Sequence, residues 1–237
     1  MPDARHANLL EPEALVELFL RHPPQGFAAA SEADLPVFGT DFDLLTTLEP
    51  AILVKIRRLP LFGLWSRLLR FPARFAGTTA TEYAPLPKGL EPGALLDGFR
   101  ERCAAGQSLL IVKDVPEVSP LLGAGDNEAA MRLARIAPDK GFIVVEGQAL
   151  AYVPIDFSST DEYLSRLSKS RRKNLRRKLK SRERLDIEAV PLGDARFGSL
   201  DVLEELYGLY LGVYAQSEIH FDLLTRDFFA GLLQSRE

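Results

Sequence analysis

The sequence predicts a mixed α/β protein, a sheet flanked by helices, on three observations. Short apolar runs of strand length, at residues 108–115 and 141–155, alternate with longer segments whose apolar residues recur every three or four positions. Residues 185–190 carry Leu185, Ile187 and, after Ala189, Val190, an alternation close to the period of a strand with one wet face. The 237 residues, 46% hydrophobic and 26% charged, are enough for one large core or two smaller ones.

In chain order, Leu9, Leu10, Leu15, Val16, Leu18 and Phe19 predict a short helix within residues 8–21, stopped by Pro23 and Pro24. A loop rich in Ala, Ser and Pro follows, and Phe42, Leu44 and Leu45 begin an extended segment that Pro50 ends. Between residues 50 and 81 stand six bases (Lys55, Arg57, Arg58, Arg67, Arg70, Arg74) and no acid, interleaved with Ile52, Leu53, Leu64, Trp65 and Phe71. Two readings fit this basic amphipathic stretch. It is a helical hairpin, broken at Pro60 and Pro72, packed on the core with Arg side chains reaching to water. Alternatively it lies on an anionic membrane surface or covers a substrate cleft.

A helix over 94–105 leads into the strand at 108–115, whose continuous apolar run suits a buried sheet position. Gly123 and Gly125 precede a helix over 127–136 and would present backbone N–H groups to a phosphate. The turn lacks the Lys and Thr of a P-loop and the third Gly of a dinucleotide fingerprint, so a plain loop explains it as well. The two apolar runs on either side of Gly147 and Gln148 predict a β-hairpin. After the strand at 185–190 come a turn at 194–199 and amphipathic helices over 200–216 and 223–233.

The centre of the chain is residues 159–184, read as one long helix. Ser159 and Glu162 form a capping box, Asp161 adds charge at the positive end of the helix dipole, and no Gly or Pro intervenes. From Arg166 to Arg184 there are eleven Lys or Arg and one acid, a net of +10, in a chain of −4, so the remainder carries −14. This is a local anion-facing surface on a protein that is otherwise acidic. Tyr163, Leu164, Leu167, Leu175 and Leu179 share a broad face into which Arg171, Asn174 and Lys178 also fall. Either that trio lines a cleft where the helix passes a ligand, or the helix leaves the core midway and turns its bases to water. Arg171, Arg172, Asn174, Arg176, Arg177 and Lys178 are the candidate anion contacts.

Other chemistry is sparse. One cysteine, Cys103, excludes a disulfide framework, and with three scattered His no metal-ligand spacing occurs, so no metal is expected. Cys103 has no base near it in sequence, and His220 beside Phe221 reads as structural. No signal-like run opens the chain and no stretch approaches a membrane span, so a cytoplasmic setting is the default. No internal repeat is visible, and no residue marks the oligomeric state.

Around the basic helix, specifically in the segment from Ser168 to Arg177, the sequence resembles the FemAB-like branch of the GNAT acyltransferase superfamily. The order of hairpin, basic helix, strand at 185–190 and helix pair (Leu203 to Tyr210, then Phe228 and Phe229) follows that branch over most of residues 36–237. The resemblance implies a first GNAT-like lobe over 1–158, a linking helix over 159–184 and a second lobe, only begun, over 185–237. The chain ends in mid-pattern, as if its C-terminal part were missing. It implies an enzyme that transfers an acyl or aminoacyl group from acyl-CoA or aminoacyl-tRNA to an amine of a peptidoglycan precursor or other cell-envelope substrate. The superfamily's donor loop has Gln or Arg ahead of its glycines; here Pro120 stands at that place before Gly123 and Gly125. No residue stands out as the base that would take the acceptor's proton. A nucleic-acid-binding module using residues 166–184, and a peripheral membrane module adding residues 50–81, are the alternatives.

Overall fold

The computed structural model describes residues 5–47, 50–89, 91–147, 149–217 and 221–236. Two compact units result, one from Met1–Val145 with Leu192–Glu237 and one from Glu146–Pro191. As the sequence predicts, the chain is mixed α/β, with sheet strands flanked by helices.

The first unit opens with β1 (His6–Ala7) and α1 (Glu13–Arg21), followed by β2 (Ala28–Glu32) and β3 (Leu35–Asp43). Two short helices, α2 (Pro50–Arg57) and α3 (Phe62–Trp65), precede β4 (Arg70–Ala76) and β5 (Leu86–Pro87). Then come α4 (Pro92–Cys103), β6 (Leu109–Val112) and α5 (Ala124–Ile136). The second unit holds α6 (Thr160–Arg166) and α7 (Lys169–Arg182), and the chain returns to the first unit with α8 (Leu200–Gln216) and α9 (Arg226–Gln234).

A four-stranded sheet of order β2-β3-β4-β6 forms the middle layer, antiparallel except for the parallel pair β4 and β6, and β1 pairs with β5 in a separate two-stranded ribbon. Alternate residues of the sheet feed two cores, because successive strand side chains point to opposite faces. Leu35, Val37 and Ala76 join Leu95, Leu96 and Phe99 of α4 and Leu133 of α5 on one face. Phe38, Ala73 and Phe75 join Leu18 and Phe19 of α1 and Phe228 of α9 on the other. Phe38 stacks between Phe27 and Phe75 at ring separations of 5.0 and 4.7 Å, with Phe19 edge-on at 5.7 Å. The helices α1 and α9 approach closely at Gly231, where a Cβ would stand 2.5 Å from a Leu18 methyl.

Several expectations are corrected. The Ala-rich loop before residue 41 is the β2–β3 hairpin, closed by Ala33 and Asp34 with φ of 51° and 63°. Both turn residues are left-handed, as a two-residue hairpin loop requires, without the usual Asn-Gly signal. The strand opened at Phe42 ends one residue later, at Asp43. Pro72 does not break a helix; it lies in β4 opposite Asp41, one residue before pairing with β6 begins at Ala73, where its carbonyl accepts from the Ser108 N–H at 2.8 Å and no N–H of its own is needed for the ladder. The first helix starts at Glu13 rather than near residue 8. Neither the hairpin at 141–155 nor the strand at 185–190 forms among the described residues, and Gln148 at the expected turn lies outside them. Ile143, Val145, Ile155, Leu185 and Ile187 are all exposed, so these apolar runs have no sheet to join. His220 also lies outside the described residues. No described residue from 52 to 72 is buried, so the basic segment enters the core only from Ala73 onward, as a strand of the sheet and not as a helical hairpin.

Candidate anion-binding helix and a second pocket

The single basic helix of the sequence reading is two helices. Leu167 and Ser168 are extended, with ψ of 154° and 152°, and Ser168 caps α7 by accepting from the Arg171 N–H at 3.4 Å. Ser competes well for a cap and poorly for a helix interior, so the break falls where the sequence offers a hydroxyl. Ser159 caps α6 as expected, accepting from the Glu162 N–H at 3.2 Å, while Glu162 reaches back to the N–H and hydroxyl of Ser158 rather than to Ser159, both at 2.8 Å. Those two donors, followed by Arg166, hold the Glu162 carboxyl down at about 2.

Among the described residues Arg166 is the one base of the run with an acidic partner. It binds Asp156 at 2.5 Å and Glu162 at 2.7 Å, with its guanidinium 5.8 Å over the Phe157 ring. Beyond it the nine bases of α7 (Lys169, Arg171, Arg172, Lys173, Arg176, Arg177, Lys178, Lys180, Arg182) make no ion pair among the described residues. Their contacts are Arg172 to the Ser165 carbonyl at 3.4 Å and Arg177 to the Asn174 side-chain oxygen at 3.0 Å.

No residue of α7 is buried; Arg172 and Leu175 are half-buried and the rest are exposed. Of the two arrangements the sequence left open, the bases turn to water. The helix nevertheless has sides. Lys169, Arg172, Lys173, Arg176, Arg177 and Lys180 follow each other at steps of three and one, a single stripe about 16 Å long at the usual rise. Arg171, Asn174 and Lys178 lie on the opposite side. Of the six expected anion contacts, Arg172, Arg176 and Arg177 are thus together on the stripe and Arg171, Asn174 and Lys178 are not. Like charges at i and i+4 oppose the helix by about 0.2–0.5 kcal/mol per pair, and an anion laid along the stripe would remove that opposition.

The other candidates sort simply. Cys103 is buried in the α4 core, and burial pushes its thiol up, away from the reactive thiolate. Asp161 is an exposed first-turn residue of α6. In the basic segment Arg70 pairs with Asp43 at 3.4 Å and the Trp65 indole donates to the Pro60 carbonyl at 3.1 Å, while Leu61, Leu64 and Leu68 are exposed beside Arg57, Arg58 and Arg67. Gly125 falls inside the first turn of α5, whose N-cap Gly123 offers no side-chain acceptor.

A site the sequence reading missed lies in the first unit. An open pocket of about 490 Å³ is lined by Asn8, by Lys88 after β5, and by Asp126 and Arg132 of α5. Nothing in the local pattern announces it, since its residues come from three separate segments. Nearby, buried His6 bonds Glu13 at 2.6 Å and the Asp34 carbonyl at 2.9 Å, a fastening of β1 to α1 and to the β2–β3 turn. Among the described residues no group of three His, Cys, Asp or Glu could hold a metal, and no helix is long and apolar enough to cross a membrane. Comparison with protein-family models, curated proteins and solved structures finds no match to this chain.

Proposed function

We propose that the protein is a cytoplasmic N-acyltransferase of the FemAB-like kind, holding the phosphates of acyl-CoA or aminoacyl-tRNA on α7 and delivering the acyl or aminoacyl group to an amine of a cell-envelope substrate. The observation that supports it is the row of unneutralised bases on α7, joined to the sequence resemblance between Ser168 and Arg177. Phosphates are bound by charge-assisted hydrogen bonds, and guanidinium groups such as Arg172, Arg176 and Arg177 offer paired donors for them.

The test is calorimetric titration with acyl-CoA together with a charged-tRNA transfer assay, on the protein and on the triple variant Arg172→Ala, Arg176→Ala, Arg177→Ala. The expected result is donor binding or transfer that the triple variant loses while its melting temperature holds. Silence in both assays with the unaltered protein would remove the transferase reading.

A second reading is favoured by the exposure of α7: a surface that takes a nucleic-acid backbone or an anionic membrane directly. A 16 Å stripe suits an extended row of phosphates, and exposed Leu61, Leu64 and Leu68 beside bases suit a membrane face. RNA affinity should then fall steeply with salt, with the slope of log affinity on log salt reduced by about 2–3 in the triple variant. Equal cosedimentation with neutral and anionic vesicles would dispose of the membrane form.

A further inference from the structure

We propose that the pocket beside Asn8 binds a zwitterionic amide of dipeptide size, a molecule carrying an ammonium, a peptide bond and a carboxylate. It uses none of the residues of α7, and its success or failure is separate from donor binding there.

Asn8 carries two unfavourable features at once. Its side chain is buried at 1% exposure, and both amide atoms lack a hydrogen-bond partner. Its φ is +60°, in the left-handed region that Asn tolerates better than most residues but not freely. Orphaned buried groups and strained backbone collect at functional sites, where a ligand supplies what the fold leaves out. A side-chain amide offers one donor group and one acceptor, and the complement is a peptide bond with its C=O and N–H.

The charges around the pocket extend the match. Lys88, Arg132 and Asp126 form no ion pair among the described residues. Glu91, also on the pocket wall, is already engaged: it caps α4 by accepting from the N–H groups of Gly93 and Ala94 at 2.7 and 3.1 Å. Two free cations remain for a carboxylate and one free carboxylate for an ammonium. The walls between them are aliphatic, with Leu86, Leu95 and Leu133. Among the described residues the lining holds no aromatic ring, which disfavours a nucleobase, since bases are usually held by stacking. The volume of about 490 Å³ lies in the range of small-molecule pockets.

The test is an NMR titration of the whole chain with alanylalanine, its N-acetylated form and its C-terminal amide. The expected result is saturable shifts at the Asn8 side-chain amide and at Arg132, with affinity in roughly the millimolar range and about tenfold weaker for either blocked form. Asn8→Gly removes the amide and accepts the positive φ, so its melting temperature should hold or rise while affinity falls about tenfold. Arg132→Ala, an exposed change, should weaken the free dipeptide and leave the C-terminal amide unaffected. Absence of saturable shifts at these residues overturns the proposal, as does unchanged affinity in Arg132→Ala; should Asn8→Gly fail to fold, Arg132→Ala decides alone.

Discussion

The helices α4 and α7 are close in length, 12 and 14 residues, and are held by different physics. Seven residues of α4 are buried, and Glu91 caps it with two short hydrogen bonds. None of α7 is buried, its cap is one long bond that Ser168 accepts from the Arg171 N–H, and its bases repel each other. A helix seated in a core owes its stability to apolar contact, which salt and ligands scarcely touch. A helix carried by local terms alone answers to whatever ions are near.

Breaking α4 should cost most. Phe99→Ala, at a side chain with no exposure, should lower the unfolding free energy by about 3–5 kcal/mol in a denaturant titration. Ser168→Ala should cost about 0.5–1 kcal/mol and act on α7 alone, read as lost helical ellipticity or helical chemical shifts over 169–173 with the global melting temperature unmoved. Adding salt should restore part of that helicity by screening the repulsion, an effect that α4 would not show. The smallest effect sharpens the contrast at α6. The Glu162 carboxyl is held down at about 2 in the folded chain against 4.5 when free. Its contribution is therefore present above pH 4.5 and fades as pH falls from there toward 2. An NMR acid titration should show the Ser158 amide shifting and α6 fraying over that window, with less change at high salt because the group is exposed.

Much of this was legible in the sequence where one local cause decides the outcome. The α4, α5, α8 and α9 segments and the Ser159 cap follow from periodicity and capping residues close to the observed bounds, whereas the strand expected at a buried position over 108–115 is the shorter Leu109–Val112, half-buried at the sheet edge. The failures share a different cause. Residues 141–155 and 185–190 have strand-like composition, but a strand exists only against a partner, and pattern does not say whether one is present. The β2–β3 hairpin escaped because Ala33 and Asp34 adopt left-handed turn conformations that their residue types do not advertise. The α7 cation row was plain from charge alone, and helical spacing already set Arg171, Asn174 and Lys178 apart from it; what the pattern did not show was the break at Ser168, which separates Tyr163 and Leu164 from the face of Leu175 and Leu179. The Asn8 pocket was illegible because burial and an unpaired amide are properties of three segments meeting, not of any one of them.

The tight seat of Gly231 against Leu18 fixes an order of events during synthesis. Phe228 of helix α9 shares a core with the stacked rings of Phe38 and Phe75, yet about 150 residues separate α9 from β4 and about 180 from β3. During synthesis that aromatic face therefore has α1 to cover it from the start but lacks α9 until almost the whole chain is made, so the packing of α9 is a long-range contact of the kind that forms late.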